Sequence, residues 1–244
     1  MSIMWNPWHG CCRVSEGCRN CYVFRIDSAH GKEGDEIRLN ADFLLPLKTG
    51  RQGYKIPSGE RVYTCFSSDF LLEEADGWRE DAWHMMRLRP DLHFVFFTKR
   101  IQRLEGVLPS DWGEGYDNVT IGCTCENQAR ADERLPIFLR LPIRHRMIVC
   151  EPLLGRIDLT SYLDHHLIEE VCAGGESGEN ARECDFAWVK EIAKACRTAD
   201  VSFHYHQTGA LLRRAGTLYR IPRPMQQLQA KRAGIDYQRR SVLH

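Results

Sequence analysis

Four of the chain's eleven cysteines, Cys11, Cys12, Cys18 and Cys21, fall close together near the N-terminus. Pro7, Gly10 and Gly17 punctuate the stretch, which therefore reads as a loop. Thiolates so closely spaced are soft ligands, suited to zinc or an iron–sulfur cluster. Cys18-x2-Cys21 is one paired knuckle, and Cys11 or Cys12 upstream makes a set of three. Structural zinc wants four closed ligands, usually as two such knuckles. No second knuckle follows, although His9 or the spare cysteine could complete the set. A [4Fe–4S] cluster normally takes four thiolates, so three on one loop leave one iron open to another ligand. An open position is what a catalytic metal needs.

The elements that must hold this loop show in the apolar pattern. Six short runs, 61–66, 93–97, 118–123, 146–150, 168–173 and 201–205, are continuously apolar or aromatic rather than alternating. Such runs predict strands covered on both faces. Helical patterns lie between them. Trp78, Ala82, Met85 and Met86 share one face, as do Phe186, Val189, Ile192, Ala193 and Cys196. Residues 23–29 suit a short helix, and Asn127 can cap another running toward Arg134, with Pro136 breaking or restarting it. Strands alternating with helices predict βα units and a parallel sheet. Six strands, with one more near the N-terminus, suit an α/β fold of the partial (β/α)6 TIM-like barrel type. A doubly wound open sheet is the alternative. Each run ends in polar or glycine residues, and in both architectures that edge builds the ligand site. The strand ends and the cysteine loop are therefore expected to converge on one pocket.

The chain has 244 residues, which fits one large domain, with 33 basic and 33 acidic side chains. The charge is unevenly spread. Residues 211–244 carry eight basic groups (Arg213, Arg214, Arg220, Arg223, Lys231, Arg232, Arg239, Arg240) against Asp236, a net +7 that leaves −7 on the rest. A basic tail can meet phosphate, or it can be a solvated end of the domain. The expected division is 1–210 as the barrel, with its cluster loop at about 9–22, and 211–244 as a basic extension packed on it or trailing from it. No apolar run approaches the roughly 18–20 residues of a membrane span, and no signal peptide is visible. A cytoplasmic location with no membrane association is expected. There, eleven cysteines act as ligands or core residues rather than disulfides. Core packing is the expectation for Cys65, Cys123, Cys125, Cys150 and Cys172, in or beside the strand runs.

Trp-Asn-Pro-x-x-Gly-Cys at 5–11, then Gly-Cys-x-x-Cys-Tyr at 17–22, resembles the signature of a phage-associated family of unknown function grouped with the radical S-adenosylmethionine (SAM) enzymes. Phe97-Thr98-Lys99-Arg100, the run 125–132 from Cys125, Cys150–Gly155 and Gly174–Gly178 follow in that family's order. The resemblance covers most of the chain and is less distinctive over the last 35 or so residues. It implies a barrel of the radical SAM kind. It also implies a [4Fe–4S] cluster on Cys11, Cys18 and Cys21, with SAM on the open iron and Cys12 a substitute ligand or bystander. Reductive cleavage of SAM would give a 5′-deoxyadenosyl radical that takes hydrogen from a substrate. A one-electron donor such as flavodoxin or ferredoxin is implied as partner. Two features depart from the wider superfamily. The first cysteine gap is longer than C-x3-C, and Gly174-Gly175-Glu176 comes late in the chain rather than after the second strand.

With SAM as the expected cofactor, the strand ends supply candidate contacts. Tyr22 stands where the superfamily often places an aromatic near adenine; it could equally plug the space beside the cluster. Ser67, Ser68 and Asp69 could bond SAM's amine or carboxylate, or cap the next helix. Lys99 or Arg100 could pair with a carboxylate or phosphate. Glu126 and Asn127 could hold ribose hydroxyls, with capping the competing role for Asn127. Glu151 is a carboxylate at a strand end. Gly174 and Gly175 allow a close approach of backbone to a ligand, and Glu176 and Ser177 add polar contacts. His206 and Gln207 end the last run and could reach the pocket. The substrate expectation is nucleic acid or a nucleotide. The competing readings are a zinc- or cluster-stabilised nucleic-acid-binding module and a non-catalytic cluster redox sensor.

Overall fold

The structure is a computed structural model that describes residues 3–51 and 53–239; Arg240 of the basic tail lies outside the described residues. The fold is mixed α/β, with parallel strands and intervening helices. The chain divides into two compact units. The first takes in Met1–Val14, Val23–Gly122 and Arg140–His145; the second takes in Ser15–Tyr22, Cys123–Leu139 and Arg146–His244.

The first unit is built on β1 (Ile3–Trp5), α1 (Tyr22–Ala29), β2 (Arg61–Thr64), α2 (Asp76–Leu88), β3 (His93–Thr98) and most of β4 (Val119–Thr124). The strands run β1-β2-β3-β4, with Trp5 beside Thr64 and Val62 beside Phe94 in parallel register. Every residue of β4 is buried, as in a strand covered on both faces. Helix α2 buries Ala82, Met85 and Met86 as its pattern predicts, adds Arg79 and Trp83, and leaves Trp78 half-buried. Aromatic rings fill this core: Phe70 stacks on Phe96 at 4.4 Å and on Trp8 at 5.4 Å, and meets Trp83 edge-on at 4.8 Å.

The second unit begins its helices with α3 (Gln128–Phe138), capped by Asn127 Oδ1, which accepts from Arg130 N at 3.0 Å. The expected break at Pro136 does not occur; the helix runs through it. Proline removes one backbone donor there, and complete burial of Leu135 and Phe138 on either side offsets the loss. Strands β5 (His145–Cys150), β6 (Glu170–Gly174) and β7 (Ser202–Gln207) are parallel in that order, and α4 (Phe186–Thr198) lies between β6 and β7 in sequence. The run at 168–173 starts as a strand at Glu170 rather than Ile168, because Ile168 N is held by Asp164 O in the preceding turn.

The C-terminal region adds a hairpin and a helix. β8 (Leu211–Arg214) and β9 (Thr217–Arg220) form an antiparallel hairpin, and β8 also pairs with Cys184–Asp185. Ala215 and Gly216 both have positive φ, 49° and 81°, as a tight two-residue hairpin turn requires. Helix α5 (Gln226–Arg232) follows, and Tyr237 pairs back onto Phe203 of β7. No described helix is long and apolar enough to cross a membrane.

Trp8 is wholly buried between this aromatic core and the start of the cysteine loop. Trp8→Ala is expected to cost about 3–5 kcal/mol in chemical denaturation, whereas Leu228→Ala on the exposed face of α5 should stay within about 0.5 kcal/mol. Equal losses in the two variants would contradict this account of the core.

Candidate functional site

Within the first unit, the Trp8–Cys12 segment is held by the polar residues that end β2 and β3. Ser67 Oγ donates to Trp8 O at 2.9 Å, and Ser68 Oγ donates to Gly10 O at 2.5 Å. Cys11 N donates to Gly34 O at 2.9 Å. Asp69 accepts from Leu71 N, Thr98 Oγ1, Lys99 N and Arg100 Nη1. Arg100 in turn reaches Cys12 O and Cys11 Sγ. His9, a possible zinc ligand by type, lies 2.6 Å from Asp27 Oδ2. The Cys12 thiol donates to Glu74 at 3.1 Å. That hydrogen bond to Glu74, then burial, raises the Cys12 thiol above its ordinary value.

Within the second unit, Glu16–Cys18 is a 3-10 turn, and Cys21 N donates to Cys18 O at 3.3 Å. Ser15 Oγ lies 3.9 Å from Cys18 Sγ and also donates to Glu126. Glu126 is wholly buried, with Arg134 Nη1 on it at 2.8 Å; the same nitrogen donates to Thr124 O. Gly17 passes so close to Glu126 that any Cβ there would strike the carboxylate. Asn127 donates to the Glu16 carboxylate. On the other flank, Asn20, between the two knuckle cysteines, donates to Glu176 Oε2 at 2.9 Å and to Asn180 O at 2.8 Å. Arg182 grips Glu176 through Nε and Nη2 and reaches Glu16 O through Nη1. Burial opposes the charge on Glu176, yet the bonds from Arg182 and Asn20 hold its carboxyl below the ordinary value. Breaking such a buried pair by removing one partner typically costs about 3–5 kcal/mol.

A third group gathers at the ends of β5, β6 and β7 in the second unit. Glu151, joined to Pro152 by a cis peptide, lies 2.8 Å from His206 Nδ1 and accepts from Gln207 Nε2 at 2.5 Å. A Cβ at Gly174 would come within 2.6 Å of the Glu151 carboxyl carbon, and one at Gly175 would meet Thr208 O. Gln207 also takes a bond from Arg223 at 2.5 Å, and His206 Nε2 faces Gln227 at 3.1 Å. This histidine–glutamate pair has the geometry to hold or move a proton at His206.

The loop cysteines are soft donors by type. All eleven cysteines are free thiols. Cys65, Cys123, Cys125, Cys150, Cys172, Cys184 and Cys196 are buried as expected of core residues, and burial pushes Cys184 and Cys196 up to about 12. The remaining four are the loop cysteines, with Cys11, Cys12 and Cys21 half-buried and Cys18 buried. The chain matches the family described as "Protein of unknown function (DUF5131)" over residues 1–242. It belongs to the DUF5131 family. No curated protein and no solved structure matches it.

The candidate contacts in this DUF5131 chain thus fall into sets. Ser67, Ser68 and Asp69 meet the Trp8–Cys12 segment or its Arg100 anchor, Glu126, Asn127 and Glu176 meet the Ser15–Cys21 segment, and Glu151, Gly174, His206 and Gln207 meet one another. Tyr22 is 43% exposed at the start of α1, while Lys99 and Ser177 are half-buried. The first unit also has a cleft of about 540 Å³ lined by Arg79, Trp83, Arg87, Asp111 and Tyr116, none of them a candidate from sequence. Asp164, His165 and His166 bring ligand atoms within 4.8 Å of one another, but they are consecutive on an exposed turn that Asp164 itself closes onto His166 N. Asn20, Arg134 and Arg182 were not singled out from sequence. Only Asn20 carried a signal, as a side-chain amide between two thiols.

The Glu151 hydrogen bond raises the His206 pKa above its ordinary value of about 6.5, against burial, with the Glu151 charge adding and Arg223 opposing. A raised histidine contributes its full stability below that ordinary value and loses it as pH rises through the folded value. The stability difference between wild type and Glu151→Gln should therefore shrink as pH rises above about 6.5 in urea titrations. A difference that stays constant across that range would contradict the pairing.

Proposed function

We propose that this chain is a radical SAM enzyme of the cytoplasm, related to the phage-associated family it resembles. On this reading it is a partial TIM-like barrel that holds a [4Fe–4S] cluster on Cys11, Cys18 and Cys21. The observation that carries the reading is the segregation of the cysteines. Seven are core residues; the other four share the N-terminal loop, where Cys18 is also buried, and the three at motif spacing sit on backbone pinned by buried charged side chains. Rigid ligands with a supporting outer shell are what a catalytic metal group requires. When bound and reduced through flavodoxin or ferredoxin, the cluster supplies the electron that cleaves a carbon–sulfur bond of SAM.

The chain's residues would then divide the remaining work. Ser67, Ser68, Glu126, Asn127 and Glu176 fix the loop. Tyr22, Lys99 and Ser177 are the candidates to meet SAM. Glu151, Gly174, Gly175, His206 and Gln207 form a polar floor at the strand ends, where His206 can exchange a proton with a substrate. Nucleic acid or a nucleotide is the favoured substrate class. β9 is exposed along its whole length and presents Tyr219 and Arg220, with Arg214 on the paired strand. An exposed aromatic among arginines suits a base and its phosphates.

Anaerobically purified protein should contain about four irons per chain and, with reductant and SAM, release 5′-deoxyadenosine. Cys18→Ala should lose the iron while Cys184→Ala keeps it. A single-stranded oligonucleotide should raise the yield if nucleic acid is the substrate, and no change would remove that class. Zinc in place of iron, or equal iron in both variants, would sink the enzyme reading.

A further inference from the structure

We infer that Arg100, held by Asp69, is a positioning residue that clamps Cys11 and so sets the reduction potential of the cluster; this rests on the cluster reading above. The three proposed ligands differ in how the chain supports them. Cys18 and Cys21 brace each other through one turn, with Cys21 N on Cys18 O. Cys11 lies outside that knuckle, seven positions ahead of Cys18, and its backbone N donates to Gly34 O at 2.9 Å. Arg100 meets both its sulfur and the backbone that follows it.

Arg100 is buried, at 6% exposure, and pairs with the equally buried Asp69 at 3.1 Å. Asp69 cannot swing away, because Leu71 N, Thr98 Oγ1 and Lys99 N also donate to it, at 2.9, 2.7 and 2.9 Å. The planar guanidinium is thereby fixed in direction. From that position Nη2 donates to Cys12 O at 2.6 Å, and Nη1 lies 3.9 Å from Cys11 Sγ. One rigid group thus touches the sulfur of residue 11 and the backbone of residue 12. Arginine suits this role better than lysine, since a point charge on a flexible stem cannot span three acceptors in one plane.

The electrostatic consequence follows from the direction of the donor, since Asp69 balances the net charge of the guanidinium. Reduction adds one negative charge to a cluster, and a fixed N–H directed at a ligand sulfur stabilises the reduced form. Arg100 therefore raises the potential and makes the cluster easier to reduce. The same contacts commit the guanidinium to the loop, so a SAM carboxylate or substrate phosphate would have to compete with Asp69 for it.

The test uses the full chain, reconstituted anaerobically, as wild type, Arg100→Gln and Arg100→Lys. Iron is counted, the potential is read by redox titration followed by electron paramagnetic resonance, and iron release to a chelator is timed. Arg100→Gln should shift the titration negative, with the one-electron reduction equilibrium falling roughly tenfold, about 59 mV. Arg100→Lys keeps the charge without the fork, and should release iron several-fold faster than wild type. Either variant behaving as wild type in its measure overturns the inference. Should Arg100→Gln fail to give a cooperative melt, Arg100→Lys decides alone. Wild type that takes up no iron fails the cluster reading itself, and this inference with it. Wild type with a full cluster and unaltered variants fails the inference alone.

Discussion

A carboxylate shut away from water is costly unless it is paired, and Glu126 is wholly buried. Its partners are Arg134 from α3 and Ser15 from the cysteine loop. Gly17 is the residue that lets the loop come this close, since any larger side chain would occupy the space of the carboxylate. The charge, its counter-ion and the glycine therefore depend on one another. Together they fix the backbone on which Cys18 and Cys21 stand. Glu176 does the same on the other flank, with Arg182 as its counter-ion and Asn20 as its hold on the loop.

The first unit uses the same device with other residues. Asp69 and Arg100 are both buried and paired, and Arg100 holds the backbone of Cys12. Ser67 and Ser68 secure the carbonyls of Trp8 and Gly10, while Trp8 anchors the segment in the aromatic core. Buried ion pairs add little net stability compared with apolar packing, but they are directional. Their use around a thiol-bearing loop fits a site where geometry matters more than stability. Glu151 and His206 stand apart from this loop scaffolding. They bond to each other and to Gln207 and Gln227, an arrangement suited to proton exchange.

The strands were legible because burial on both faces leaves continuous apolar runs, as in β3 and β4. The cysteine loop was legible from spacing alone. Asn127 showed its capping role through its type and place, and it also reaches Glu16, which no local pattern signals. The counter-ions were hidden for a physical reason. Arg134 and Arg182 look like solvated helix and loop charges, and Arg182 meets Glu16 across 166 positions of sequence. Pro136 misled because local backbone chemistry was outweighed by the burial of its neighbours. The hairpin of β8 and β9 was missed because its turn rests on Ala215 and Gly216, a weaker signal than Asn-Gly.

The proposed iron–sulfur cluster has one iron left open for SAM. The most direct measurement is electron paramagnetic resonance of the anaerobic, reduced protein before and after SAM is added. The account predicts the signal of a one-electron-reduced [4Fe–4S] cluster whose line shape changes when SAM binds. A cluster signal indifferent to SAM, or a protein that holds zinc and shows no signal, would contradict it.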